Sequence, residues 1–494
     1  MVEDDGSASS GRSTSSRRAF VRGTAATGVA ATLAGCGGLS PVGSAEGSGQ
    51  RVVNFAANST IASAWSKLEP VLHEVGLPDD VTVEVLPGAW ASGKRQSKYQ
   101  IWLAADREKP DMFLMDNGWT IPFIAREQLL NLEKHLSDDL VSRIRNDYFD
   151  SIVRTAIDRE TDSLYGVPLW IDLPTIQYRK DLVREAGYDP DDEAWATEGI
   201  SWKRFAEVTK TVQRERDLSY GFTFQAQSYA GLACCDFLEF MSSWGGAYFG
   251  SWKNLFGPIG ERPVTVDERP TVDAVRMLRT FIHGSDDPAA IDGYAGGIAP
   301  QAVLQWTEEP SRKPFTNGRA VMHRNWPYSI QINGAEDAFG EDLGVMPIPY
   351  ATTEEQSAYP RRGGPVAAVG GWNLTVNPNA ADRNAAIAVV EAMASPKFRF
   401  KLFEEAGYTP PDPTLLETKR ARNVPVMGRY LDQLKVAGKN AIPRPVTVVW
   451  PQQSTAIASK VNATLGRSMP PERALSSLAG QLEEIEAYVG GTEG

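Results

Sequence analysis

"NGRAVMHRNWPYSI", residues 317 to 330, runs from a turn through a short apolar stretch, Ala320 to Met322, into Arg324, Asn325, Trp326, Pro327 and Tyr328. The spacing predicts a strand that ends on an indole, with a proline to start whatever follows it. A strand that exits on a large flat ring places that ring for contact. Three other segments end or bend in the same way: "MDNGW" (115–119), "PLWIDL" (168–173) and "GGWNL" (370–374). Taken one at a time, an Asp after a strand is as readily a turn or cap residue, and a Trp is more often core. Four recurrences of one composition at strand exits point instead to a shared surface.

Trp and Tyr offer flat faces with a polar tip, which suits a ligand with an apolar C–H face and a hydroxyl rim. A pyranose has that shape. Carboxylates such as Asp116 and Asp172 would accept hydrogen bonds from its hydroxyls. Two aspartates about a sugar could also form a glycosidase pair. No stretch resembles a glycosidase motif, however, and neither G-x-S-x-G nor a phosphate-binding G-x-x-x-x-G-K-[ST] occurs.

Outward from these segments, strand and helix patterns alternate. "RVVNFAA" (51–57), "VTVEVLPG" (81–88) and "DMFLMD" (111–116) read as strands, with helical spacing between them at 63–76 and about 94–108, and a helix expected through "IPFIAREQLLNL". That order predicts an α/β layer with a mostly parallel sheet and ligands beyond its strand ends. Sheet-like and helical segments recur after residue 201, so the chain is expected to build two lobes with more than one crossover: 51–167 plus 327–372, and 168–326 plus 373–494.

The 494 residues carry a net charge of −12, and beyond residue 35 the count is 46 basic against 59 acidic side chains. This excludes nucleic acid or an anionic membrane surface as the main partner. Residues 1–35 read as an export signal, with Arg17 and Arg18 before a modest apolar stretch, as in twin-arginine leaders. "LAGC" ends at Cys36, a lipidation site in the pattern of exported lipoproteins, and 36–50 would be a Gly/Ser tether. Cys234 and Cys235 are adjacent, which rarely allows a relaxed disulfide, so buried thiols are expected. Four scattered histidines give no metal-ligand spacing, and no cofactor is called for.

The chain resembles the extracellular solute-binding proteins of sugar ABC importers, and most nearly the trehalose/maltose-binding proteins of archaea. The stretches that carry this are "KPDMFLMDNGW" (109–119), "LYGVPLWIDLPTIQYRKDLVREAGY" (164–188), "YAGLACCDFLEF" (229–240), "TEEPSRKPFTNGRAVMHRNWPYSI" (307–330), "VGGWNLTV" (369–376) and "PRPVTVVWPQQS" (443–454). The resemblance implies an α/β, two-lobed periplasmic-binding-protein-like fold with the ligand in the cleft between the lobes and several hinge crossovers. It implies sugar contacts at Asp116, Trp170, Asp172, Trp326, Gly371, Trp372, Arg444 and, by a looser match, Arg95. In the family the position of Trp170 is often tyrosine, so a larger stacking surface is expected there. Acidic residues that precede the first helix's Trp in those relatives are replaced here by "NSTIASAW" (58–65). The implied protein is no enzyme: a monomer, lipid-anchored outside the cytoplasmic membrane, that delivers a mono- or disaccharide to ABC permease subunits. The alternatives are a secreted glycoside hydrolase or transferase, and a binder of some other solute.

Overall fold

The computed structural model describes residues 49–490 apart from residue 91. The export signal and Cys36 lie outside the described residues.

The Val-rich segments Arg51–Asn58 (β1) and Val81–Gly88 (β2) pair in parallel, and β1 also pairs in parallel with Met112–Asp116 (β3). A first sheet forms in the order β2-β1-β3-β10-β4, where β4 is Val167–Asp172 and β10, Gly370–Val376, runs antiparallel to both neighbours. The second sheet holds Thr175–Arg179 (β5), Tyr220–Thr223 (β6), Ala320–Asn325 (β7) and Leu343–Met346 (β8) in the order β6-β7-β5-β8. Both sheets are mixed, because one antiparallel strand enters the first and two antiparallel pairings build the second. A short parallel pair, Ala367–Ala368 (β9) with Ala441–Ile442 (β11), stands apart from both. Two large buried clusters pack on these sheets, each drawing residues from both, and the fold is α/β and two-lobed as expected.

Where the chain changes lobe differs from the expected boundaries. β4 belongs to the first sheet and β5 to the second, with only residues 173–174 between them. The segment 327–372 was expected in the first lobe, yet β8 pairs with β5 in the second sheet. β10 returns to the first sheet, and the helices Arg383–Met393 and Pro396–Ala406 pack on the first-lobe helix Ser59–Glu74. The chain switches back only near β11, after which Trp450–Leu465 and Pro471–Gly490 pack on the second-lobe helix Arg269–His283. For the first boundary the physical reason is continuity: β4 and β5 are both buried and mainly apolar, and two residues, Leu173 and Pro174, separate them.

Two local expectations also fail. The helix through 121–132 shrinks to Thr120–Ile124 because Glu127 takes a left-handed backbone (φ 57°) and the Gln128 N–H turns back to the Phe123 carbonyl. Cys234 and Cys235 are not free thiols; they form a disulfide between adjacent residues in the wide π turn Leu232–Asp236. No helix among the described residues is long and apolar enough to cross a membrane.

β7 is buried at all six positions, Arg324 included. The Arg324 guanidinium is held by Glu239 (Nε to Oε2, 2.8 Å), Asp236 (Nη1 to Oδ2, 3.0 Å) and the Gln225 amide oxygen at 2.8 Å. Glu239 also accepts the Ala368 N–H at 3.2 Å, which ties β9 to the same cluster. Burial, with the neighbouring Glu239 charge, pushes the Asp236 carboxyl well above its usual range despite Arg324. Removing one partner strands a buried charge, which costs roughly 3–5 kcal/mol. Glu239→Ala should lower the unfolding free energy by about that amount in denaturant titration; an unchanged midpoint would show that the cluster carries no weight in the fold.

Candidate functional site

Directly opposed residues of paired strands project on the same face of a sheet. The register of β10 sets Trp372 opposite Asp116 of β3 and opposite Trp170 of β4, and sets Gly370 opposite Asp172. One row of the first sheet thus carries a carboxylate and two indoles at the strand ends. Gly370 and Gly371 permit the approach of the next elements. A Cβ on Gly370 would lie 2.8 Å from Trp326 Cζ3 and 2.9 Å from Asp172 Cβ, and Gly371 (φ 134°) would meet the Trp170 carbonyl oxygen at 2.5 Å. Trp326 therefore reaches the row across the lobe boundary because no side chain stands in its way.

Trp326 occupies the N-cap position of the helix Pro327–Asn333 in extended backbone, with the proline at N1 as the sequence predicts. Its ring is half-buried, and the Arg324 guanidinium carbon lies 4.5 Å from the ring centroid. Trp372 is built alike: Arg95 covers its ring at 4.4 Å, and Trp119 meets it edge-on at 5.5 Å. Each indole is braced by a cation, an arrangement that adds about 0.5–2 kcal/mol of orientation.

Asp116 accepts the Gly118 N–H at 2.8 Å and Arg444 Nη1 at 3.0 Å. Arg444 comes from the segment that follows β11, so this pair links the first sheet to the last crossing of the chain. Asp172 is buried. Its Oδ2 accepts the Trp170 indole N–H at 3.0 Å, and its Oδ1 has no donor. Burial pushes the Asp172 carboxyl up to about 7, against the Trp170 hydrogen bond and with some help from the Asp116 charge.

Trp170 corrects the expectation of a larger stacking surface. It is 0% exposed, stacked flat on Tyr408 at 4.1 Å and tilted against Trp372 at 6.0 Å. It braces the other indole and positions Asp172. Tyr408 escaped the sequence reading because its position follows a helix end far along the chain; its hydroxyl reaches Asn58 and Thr60. Trp119 ends the "MDNGW" segment singled out in the sequence but was not among the expected contacts, and the Tyr229–Glu308 hydrogen bond (2.9 Å) was missed. Burial pushes the Glu308 carboxyl up.

Beside the Asp116–Arg444 pair lies a cavity of about 300 Å³, lined among others by Gly118, Trp119, Tyr229, Arg444, Trp450 and Ser454. Its walls come from the first sheet's loops on one side and from second-lobe elements on the other. The expected residues Asp116, Trp170, Asp172, Trp326, Gly371, Trp372, Arg95 and Arg444 are all gathered at this boundary. Among the described residues no group of three or more His, Cys, Asp or Glu is placed to hold a metal ion.

The model of the family described as bacterial extracellular solute-binding protein matches residues 78–426. A probable ABC transporter-binding protein of Deinococcus radiodurans is 28% identical over 411 residues, which span 82% of this chain and 87% of that protein. Among solved structures, maltose-bound MalE3 of T. maritima superposes with a TM-score of 0.72 at 24% identity, covering 88% of this chain and 99% of that one. A solute-binding protein of Thermotoga lettingae bound with α-D-tagatose gives 0.69 at 18% identity, covering 88% and 100%. These structural likenesses establish the periplasmic-binding-protein fold. The chain belongs to the bacterial extracellular solute-binding proteins, the receptors of ABC transporters.

Proposed function

We propose that this receptor captures a saccharide between its lobes, closes over it, and hands it unaltered to an ABC permease. The observation that carries this is the meeting of two braced indoles, Trp326 and Trp372, with two carboxylates, Asp116 and Asp172. A buried acceptor without a donor costs about 1–3 kcal/mol, and Asp172 Oδ1 is such an acceptor. A sugar hydroxyl supplies the donor while the ring's C–H face lies on an indole. The maltose in the T. maritima relative and the tagatose in the T. lettingae relative favour a carbohydrate ligand here. Trehalose or maltose is the first choice, although the exit of β1 offers only Asn58, Ser59 and Thr60, and the Asn58 side chain is spent on capping its helix through the Ile61 N–H.

Closure needs contacts that exist only when the lobes meet. Asp116 with Arg444, and Trp326 against Gly370, are of that kind, and a bound sugar adds to both. Asp116 is engaged by Arg444 and Gly118, and Asp172 by Trp170, so the two carboxylates act as hydrogen-bond acceptors in a binding site rather than as an acid–base pair. Upstream, Cys36 carries the lipid anchor, and Arg17 with Arg18 directs export of the folded chain to the outer face of the membrane.

Trp326→Ala should weaken saccharide binding at least tenfold in calorimetric titration and leave the melting temperature of the free protein within a few degrees. A variant that unfolds while its folded fraction binds normally would mark Trp326 as core. Hydroxyl donors favour the ionised form of Asp172, so binding should release a proton. Affinity should therefore rise as pH increases from 6 to 8 through the value near 7, and Asp172→Asn should flatten that profile. A flat wild-type profile would remove Asp172 from the ligand contacts; the neighbours that face it are Asp116, Trp170 and Tyr408, with Arg95 beside Tyr408. Cys36→Ser should release exported protein into the medium, and retention on membranes that lack the permease would contradict the anchor.

A further inference from the structure

A second cavity, of about 220 Å³, sits at the ends of β1 and β2. Lys94, Arg95 and Lys98, from the helix Ser92–Ala104, line it together with residues 86–89, Tyr99 and Trp102, and no carboxylate does. Among the described residues none of the three cations takes part in an ion pair. Buried Arg262, Arg279, Arg324 and Arg444 are each matched by a carboxylate, whereas buried Arg362 and Arg399, which line neither cavity, are not. Arg95, 2% exposed, is also unmatched: Nη1 donates to the Ala89 and Trp90 carbonyls at 2.7 and 3.1 Å, and Nε has no acceptor. Its nearest acid, Asp116, is already taken by Arg444. Burial pulls the Arg95 guanidinium below its usual value, a cost that a matching anion would offset.

The rest of the lining supports the same chemistry. Lys98, though exposed, is held at the wall, with its Nζ 4.5 Å over the Trp102 ring. In a chain of net charge −12, three unmatched cations around one concavity focus a positive potential. The volume settles the scale. Small-molecule sites occupy about 300–1,000 Å³, so this cavity holds a group rather than a whole ligand. Arg95 connects it to the cleft, because its guanidinium also covers Trp372.

We propose that this cavity is an oxyanion subsite that receives the carboxylate or phosphate of an acidic saccharide whose ring lies at Trp372. The proposal rests on the saccharide reading of the cleft and narrows it to charged sugars. Lys94 and Lys98 supply point charges from the exposed side; Arg95 supplies the link to the ring.

The test is calorimetric titration of the full chain with glucose, glucuronate, glucose 6-phosphate and inorganic phosphate, then with maltose and its uronate, at low and moderate salt. The acidic sugars should bind at least tenfold tighter than the neutral parents, with the preference shrinking as salt rises. Lys94→Gln with Lys98→Gln, both at exposed positions, should remove the preference and leave neutral-sugar affinity unchanged. Equal or tighter binding of the neutral parents, or a preference untouched by the double substitution, overturns the subsite but not the receptor. Inorganic phosphate that binds without competing with saccharide overturns the assignment to a sugar substituent. Failure of every saccharide, neutral or acidic, sinks the reading of the cleft along with it.

Discussion

Arg324 is the charge on which both the fold and the site depend. It is fully buried between Glu239 and Asp236, its flat side supports Trp326, and Glu239 extends the cluster to the backbone of β9 just before the chain crosses to the first sheet. Leaving a buried guanidinium without a matching charge is costly. Meeting its donors fixes the exit of β7, the position of an indole, and the start of a crossing segment at once. Side chains so coupled are held as one unit, as the proposed closure of one lobe on the other requires.

The second constraint is steric. The first sheet delivers Asp116, Trp372 and Trp170 in one cross-strand row, and the second lobe can approach that row only over Gly370 and Gly371. Trp170 gives up its own surface to the stack with Tyr408 and thereby holds Asp172 in place. The site is then a small number of exposed faces carried on a larger number of buried aromatic and charged supports. On the proposed reading, binding energy comes from Trp326, Trp372 and the acceptors, and the buried supports hold those faces in place.

Much of this was legible in the sequence. The strand at 320–325, the proline after Trp326 and the double glycine before Trp372 each follow local rules that the neighbours obey. The residues named from the resemblance lie near one another at the meeting of the two sheets, and their contact with a sugar is the reading proposed above. What the sequence hid was set by packing over long separation. "VPLWIDLPTIQY" reads as one mainly apolar stretch, so the first boundary was set at the start of β4 rather than at the two-residue switch after it. The two later boundaries fell before β8 and within β10 because strand pairing over long separation is not visible locally. Trp170 reads like any strand-end indole until Tyr408 is seen against its face. The bond between Cys234 and Cys235 depends on a π turn that no residue spacing announces.

The proposed receptor recognises a sugar ring and its hydroxyls and leaves every bond intact. The most direct test is calorimetric titration of the protein with trehalose, maltose, sucrose, glucose and glucuronate, followed by recovery of the sugar from each mixture. Saturable one-to-one binding of at least one of them, with that sugar recovered unchanged, is the predicted result. Silence with all of them, or a sugar cleaved during the titration, would contradict it.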